Sequence, residues 1–334
     1  MKKIFTLILT MVAALTVHAQ ELKPLTLEDL NFGGTNYHNM VPKTRYTTWW
    51  GDELVHLDTE ECFLVNKSTG KESQLFTLSE LNQWSGMKLR HLYNLSFPES
   101  GKSLVWLNDG NERMLFDWKH KKAIWKGNIS MAKGAQAQDF NSVSRALAYV
   151  KDNQLHVIDA HGNDHQLTTD GSREIVYGQS VHRNEFGCND GIFWSPNGER
   201  LAFYRMDESM VAEYPLVEID DSVAKAKPIR YPMAGGASHH VTMGGYSVAD
   251  DRVVWLQTGG AADHYLTNPA WSPDGDFLYL AELNRGQDTM RLNCYDARTG
   301  AFHHELFRET SPQYVEPLHP LEFVPGGKGL FVWQ

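Results

Sequence analysis

A five-residue turn sequence occurs twice in this chain and restricts its fold more than any other feature. WSPNG at residues 194–198 recurs as WSPDG at 271–275, and each copy is followed by an apolar run, ERLAFYRMD or DFLYLAELN. After the second copy the chain continues with MRLNCYDA, the turn ARTG and AFHHELF. Because alternating apolar residues between Gly- and Pro-containing turns are typical of strands in hairpins, this unit is predicted to be a four-stranded antiparallel meander.

Weaker copies of the same unit are visible along the chain. They fit residues 49–78, 96–127 and 140–169, and a last copy begins near 323. Strand-start positions 49, 97, 140, 194, 271 and 323 are separated by 48, 43, 54, 77 and 52 residues. Repeats of about 40–50 residues with four strands each are the signature of a β-propeller.

The predicted fold class is therefore all-β, a β-propeller of four-stranded blades, and a β-sandwich of unequal hairpins is the alternative. The chain is expected to hold about five blades plus a hairpin, as an open arc truncated at Gln334. A strand edge left unpaired in mid-blade favours aggregation, so we expect the sequence to be a fragment of a longer protein.

The first nineteen residues have the organisation of a secretory signal peptide. Lys2 and Lys3 precede an apolar stretch over 4–17 and a small-residue cleavage site, which together are too short for a membrane span. The predicted domains are a signal peptide at 1–19, an N-terminal segment at 20–45 and a partial propeller at 46–334. We expect export to the periplasm, the cell surface or the medium.

The charge and the cysteines exclude several classes of partner. Removing the two signal-peptide lysines takes the formal charge from −10 to −12, which disfavours nucleic acid or an anionic membrane as a partner. The three cysteines lie far apart and lack metal-binding spacing, so they are predicted to fill the core.

Two pairs of adjacent histidines, His239–His240 and His303–His304, raise the question of a metal site. Neighbouring residues of a strand point to opposite faces of the sheet, so neither pair is predicted to bind one ion. No metal and no other cofactor is predicted.

The longest interval, 77 residues between the strand starts at 194 and 271, indicates which face of the propeller is expected to carry function. One insert, at about 207–238, separates the second and third strands of the fourth blade, and another, at about 171–190, precedes its first strand. Both connections leave an antiparallel blade on the same side, so the inserts should lie beside each other. The second insert contains VHRNEFG at 181–187.

Five segments in collinear order carry a family resemblance. They are VYGQSVHRNEFG, GIFWSPNGERLAFYRMDESMV, YPMAGGASHHVT, LTNPAWSPDG and YVEPLHPLEFVPGG. They resemble the N-terminal propeller of the dipeptidyl peptidase IV family of serine peptidases, with the bacterial prolyl tripeptidyl peptidases most similar. The resemblance runs from residue 25 to the last residue. It implies an eight-bladed propeller that caps an α/β-hydrolase domain cleaving after a second- or third-position proline.

The resemblance also implies a role for individual residues. Glu185 matches the family's glutamate that binds the free α-amine of the peptide, and Asn184 is a second candidate where dipeptidyl peptidases carry another glutamate. This departure favours the tripeptidyl relatives. Arg113 lies near the expected place of the family's carbonyl-binding arginine, but the role is not carried over to it.

The catalytic residues of such an enzyme are not expected in this chain. No G-x-S-x-G nucleophile motif occurs in the 334 residues, so the chain alone is expected to be inactive. The implied partners are a peptide with a free N-terminus and a nearby proline, the hydrolase domain of the full-length protein and, as an open alternative, a second copy of the parent. The alternative function is a free-standing periplasmic propeller that acts as a protein-binding scaffold, and the coding sequence beyond Gln334 would distinguish the two.

Overall fold

The computed structural model describes residues 24–40, 45–220, 222–324 and 329–331, and the signal peptide predicted for 1–19 lies outside them. Two short helices, α1 (Thr35–Met40) and α2 (Leu78–Ser85), flank the first sheet. Apart from these helices and two short 3₁₀ turns, the regular secondary structure of the described residues consists of antiparallel sheets that follow one another as the blades of an open propeller, which confirms the predicted all-β class. Within these residues no helix is long and apolar enough to cross a membrane.

The first three blades follow the predicted repeat. Blade 1 consists of β1 (Tyr46–Trp50), β2 (Glu53–Leu57), β3 (Glu61–Val65) and β4 (Glu72–Thr77). Blade 2 consists of β5 (Leu104–Asn108), β6 (Glu112–Asp117) and β7 (Lys122–Asn128). Blade 3 consists of β8 (Ala137–Asn141), β9 (Ala146–Lys151), β10 (Gln154–Ile158) and β11 (Asp164–Gln166). The inner strand of blade 2 is reduced to a single bridge between Ser96 and Trp106.

Blade 4 is the most elaborate. Its strands are β12 (Ile175–Tyr177), β13 (Ile192–Trp194), β14 (Arg200–Asp207), β17 (His240–Ser247) and β18 (Arg252–Trp255). Both β12 and β13 pair with β14, so the insert before the blade adds a fifth strand. The other insert forms a separate hairpin of β15 (Glu213–Glu218) and β16 (Lys225–Arg230).

Blade 5 has four full strands and is followed by the start of another sheet. The blade consists of β19 (Tyr265–Trp271), β20 (Phe277–Leu283), β21 (Thr289–Asp296) and β22 (Phe302–Thr310). Next come β23 (Glu322–Phe323) and β24 (Leu330–Phe331), which pair as an antiparallel hairpin.

Apolar layers between neighbouring blades form the core. In β14, Leu201 and Phe203 pack into the layer shared with blade 3, whereas Ala202 and Tyr204 pack into the layer shared with blade 5. Side chains alternate between the two faces of a strand, so a strand that is covered on both faces must be apolar throughout. This requirement explains the unbroken apolar runs of the inner strands. The three cysteines are free and buried, as predicted.

A repeated hydrogen bond joins consecutive blades near the propeller axis. Trp194 at the end of β13 donates its indole N–H to the carbonyl of Asp139 in β8 (3.2 Å). Trp271 at the end of β19 donates in the same way to the carbonyl of Phe193 in β13 (3.0 Å). The recurrence of tryptophan at the same position in WSPNG and WSPDG thus has a structural cause, since each ring fixes its blade against the preceding one.

Helix α2 was not predicted from the repeat. Thr77 caps it by accepting a hydrogen bond from the Glu80 amide, and the Glu80 side chain accepts one from the Thr77 amide. This reciprocal capping box satisfies two amides at the helix start. Gly86 ends the helix in the left-handed conformation (φ 74°).

Candidate functional site

The segment 182–187, called here the Glu185 turn, has an unusual backbone. His182, Arg183, Asn184 and Phe186 all have φ between 54° and 63°, and only Glu185 keeps an extended conformation (φ −65°, ψ 162°). A non-glycine residue in the left-handed region is uncommon, and each costs roughly 1–3 kcal/mol unless neighbouring structure holds it there. Four such residues within five positions indicate a turn imposed by its contacts.

Blade 5 supplies the first set of contacts. Phe186 is buried against Tyr265, with ring centroids 5.0 Å apart, and its carbonyl accepts a hydrogen bond from the Asn268 side-chain amide (3.1 Å). The same amide group donates to the carbonyl of Pro317. Gly187 (φ 73°) lies against Leu318, whose carbonyl oxygen would be 2.3 Å from an added Cβ. The turn is therefore clamped between β19 and the segment that follows blade 5.

A buried pair of histidines supplies the second set. His182 Nδ1 lies 2.9 Å from His239 Nε2, and His182 Nε2 lies 3.2 Å from both the backbone N and O of Leu266. Burial lowers the pKa of His182 to about 3 and that of His239 to about 4, so both rings are neutral at neutral pH. Neutral rings can form one N–H···N bond, which joins the Glu185 turn to the start of β17.

The insert 207–238 lies beside the Glu185 turn, as the sequence predicts. The Arg183 guanidinium is 3.7 Å from Glu208 and lies over the Tyr231 ring, 5.3 Å from its centroid. Burial raises the pKa of Glu208, and Arg183 and Arg230 oppose that rise. Arg183 is thus engaged by residues near both ends of the insert.

These elements surround a cleft of about 280 Å³. Its lining residues are His182, Arg183, Glu185, Phe186, Tyr231, Pro232, Ser238, His239, Tyr265, Arg285, Gln287 and Glu316. The Glu185 side chain is exposed and, within the described parts of the chain, its carboxylate forms no hydrogen bond or ion pair. A free carboxylate on a rigid turn, next to aromatic rings, is suited to bind a ligand ammonium group.

The other residues singled out from sequence are placed differently. Asn184 is exposed but is not among the residues that line the cleft. Arg113 packs over the Phe140 ring, 4.2 Å from its centroid, in the layer between blades 2 and 3. Because Arg113 is absent from the cleft lining, the structure gives no support for moving the carbonyl-binding role to it.

The argument that separated adjacent histidines onto opposite faces is wrong for His303 and His304. The register of β21 and β22 shifts between Cys294 and Tyr295, so that two residues of β22 oppose Cys294. At such a β-bulge the regular alternation of side chains is lost. The two Nδ1 atoms lie 2.6 Å apart.

Several cleft residues were missed from sequence. His182 lies within VHRNEFG without a predicted role of its own, and His239 is considered only as half of an adjacent pair. Arg285 and Glu316 belong to blade 5 and the segment after it. A contact between two histidines that lie 57 positions apart leaves no local pattern in the sequence. The one usable signal is that His182 lies in the insert 171–190 and that His239 directly follows the insert 207–238.

Comparisons with known proteins agree with this architecture. A structure from Bacteroides ovatus, provisionally described as a dipeptidyl aminopeptidase IV, is 37% identical with a TM-score of 0.77, covering 90% of this chain and 42% of that one. Dipeptidyl peptidase 4 of Porphyromonas gingivalis has the same fold (TM-score 0.70, 21% identity, 91% of this chain and 45% of that one).

Curated relatives are fungal proteins named "Probable dipeptidyl-aminopeptidase B". The one from Podospora anserina is 29% identical over 57% of this chain and 23% of its own length. The one from Pyrenophora teres is 23% identical over 91% of this chain and 38% of its own length. The chain thus spans less than half the length of these relatives. Residues 87–334 match the model described as "Dipeptidyl peptidase IV (DPP IV) N-terminal region", and the chain therefore belongs to this family of peptidase-associated propellers.

Proposed function

We propose that this chain is the substrate-gating and amine-binding propeller of an exported prolyl di- or tripeptidyl serine peptidase. Glu185 binds the α-ammonium group of the peptide, and an α/β-hydrolase domain of the full-length protein supplies the catalytic serine. The observation that carries the proposal is the exposed Glu185 carboxylate, which has no partner among the described residues and is held on a strained turn at the edge of the cleft.

The strain of the turn supports this role. Four residues in the left-handed region around Glu185 are expensive for a surface loop, and such strain is found mainly where a side chain must be aimed. The contacts of Phe186 and His182 hold the backbone on both sides of Glu185. A carboxylate fixed before binding loses little conformational entropy when the ammonium arrives.

The function of such a group is to measure where the peptide begins. A peptide whose ammonium binds Glu185 can place only one bond, a fixed number of residues away, at a catalytic serine. The contact is charge-assisted and should contribute about 1.5–3 kcal/mol. That energy is available only to peptides with a free N-terminus.

The remaining parts of the proposal concern location and assembly. The signal-like residues 1–19 support export to the periplasm or the cell surface. A homodimer of the full-length protein would be built through the β15–β16 hairpin, where Leu216, Val217, Ile219 and Val223 are exposed.

The test compares peptides with and without a free amine. In the enzyme formed by this propeller and its hydrolase domain, Glu185→Gln should lower kcat/KM for a free-amine, proline-containing peptide by roughly tenfold to a hundredfold. The acetylated form of the same peptide should change little. Glu199→Gln, in the exposed turn between β13 and β14, is the matched control and should leave both values unchanged.

Two outcomes would contradict the proposal. Equal losses for the free and acetylated peptides would mean that Glu185 only supports its loop. Unchanged kcat/KM for both peptides would remove Glu185 from the site.

A further inference from the structure

The outer half of blade 5 contains a group of metal-binding side chains that lies apart from the cleft. Among the described residues, Cys294, His303 and His304 place a sulfur and two imidazole nitrogens within 4.8 Å of one another. None of the three residues lines the cleft of Glu185. Their proximity follows from the strand pairing, since Cys294 opposes His304 directly and the bulge adds His303 beside it.

The bulge makes the arrangement specific. In a regular strand His303 would point to the face opposite His304, with the sheet between the two rings. The shifted register instead sets their Nδ1 atoms 2.6 Å apart on the side of Cys294. Bulges re-aim side chains and are typical of functional positions in sheets.

Neighbouring groups support the three ligands. Tyr279 in β20 is the cross-strand partner of Cys294, and its ring lies against His304, with centroids 6.5 Å apart. The Phe277 ring packs against His303, with centroids 5.0 Å apart. Packing around the ligands orients them, as the outer contacts of protein metal sites do.

The short distance between the imidazole rings of His303 and His304 restricts how the two rings can hydrogen-bond. With their Nδ1 atoms 2.6 Å apart, one ring has to donate a hydrogen bond and the other has to accept it. A cation between them would let both nitrogens act as electron-pair donors. His303 is exposed and His304 half-buried, so solvent and an ion can reach them, whereas Cys294 is fully buried beneath.

We propose that Cys294, His303 and His304 form a zinc site on the outer strands of blade 5. One thiolate and two imidazoles are the ligands that Zn²⁺ prefers, and Mg²⁺ and Ca²⁺ prefer oxygen. Water would complete a tetrahedral set. Zn–N distances of about 2.0–2.1 Å require the two nitrogens to separate to about 3.3 Å, which a side-chain rotation of exposed His303 permits.

The site has a structural consequence that does not depend on peptide binding. Zinc would cross-link β21 and β22 at the point where the bulge interrupts their ladder. Its binding energy is available only to the folded sheet and therefore adds to stability.

The test uses the chain without a polyhistidine tag. Co²⁺ titration should give one equivalent of binding with sulfur-to-metal charge-transfer and tetrahedral d–d absorption, and Zn²⁺ should displace it. His303→Gln and His304→Gln should each weaken Zn²⁺ binding by more than about 100-fold, since losing a ligand costs more than the 10–100-fold loss seen for groups that only orient one. His161→Gln, an exposed histidine in the turn after β10, is the control and should bind as the wild type does.

Thermal unfolding gives a second readout. Zn²⁺ should raise the Tm of the wild type and of His161→Gln, and a chelator should reverse the rise, whereas His303→Gln should show none. His303 is exposed, so this variant is expected to fold. The proposal is overturned if Co²⁺ binds without the sulfur charge-transfer band, if no stoichiometric binding occurs, or if either His303→Gln or His304→Gln retains wild-type affinity.

Discussion

Replacing Gly187 by alanine tests whether the Glu185 turn is held by the segment that follows blade 5. Gly187 has φ 73°, and an added Cβ would lie 2.3 Å from the carbonyl oxygen of Leu318, a distance that real Cβ atoms do not show. The left-handed conformation alone costs alanine about 1–2 kcal/mol. Overpacking against fixed backbone adds about 1–3 kcal/mol. Gly187→Ala should therefore lower the free energy of unfolding by roughly 2–5 kcal/mol.

A variant at a second glycine, Gly134, separates the conformational cost from the cost of overpacking. Gly134 has φ 77° and no atom within 4 Å of an added Cβ, so Gly134→Ala should show only the conformational cost of about 1–2 kcal/mol. Both variants are measured by urea denaturation followed by tryptophan fluorescence. If Gly187→Ala costs no more than Gly134→Ala, the turn does not rest against Leu318 and the clamped geometry of Glu185 is wrong.

Three further predictions concern the packing of the blades and the buried polar groups. Trp271→Phe removes the bond to the Phe193 carbonyl and should cost about 1 kcal/mol more than Trp255→Phe, whose exposed indole donates no hydrogen bond within the described residues, as measured by urea denaturation. Burial sets the pKa of His182 to about 3 and of His239 to about 4, below the ordinary 6.5, so the unfolded chain binds protons more readily. Stability should therefore fall as the pH drops from about 6.5 towards 4, and the double change to glutamine should flatten that slope in pH-dependent unfolding curves. Since all three cysteines are buried, a thiol reagent should react with them only after denaturant is added.

The parts of the fold that recur were predictable, because each is encoded locally. The turn that begins at Ser195 is closed by its own side chains, with Ser195 Oγ donating to Asn197 Oδ1 (2.7 Å) and accepting from the Arg200 amide (3.0 Å). Ser272 and Asp274 repeat the first of these bonds in the next blade. The hydrogen bonds that close such a turn join residues at most five positions apart, so the sequence pattern is sufficient to locate it.

The parts that escaped prediction depend on partners distant in sequence. β12 joins blade 4 by pairing Ile175 with Asp207, thirty-two positions away. Its residues, Ile-Val-Tyr, favour a strand, but three residues do not show which strand they pair with. The bulge at His303 depends on the register with β21, which alternation alone cannot supply. Glu185 could be placed on the correct face from the repeat, but its left-handed neighbours are held by Asn268 and His239, which only the folded chain brings near.

The tryptophan bonds between consecutive inner strands have a consequence for how the propeller transmits a disturbance. Each indole reaches only the preceding blade, so the arc behaves as a chain of nearest-neighbour couplings. The Glu185 turn takes its contacts from blades 4 and 5 and the segment after them. The effect of a substitution on the cleft should therefore decrease with the number of blade interfaces between them. A substitution in blade 1 is separated from blade 4 by three interfaces, whereas one at Trp271 lies at the interface between blades 4 and 5, where the cleft is formed.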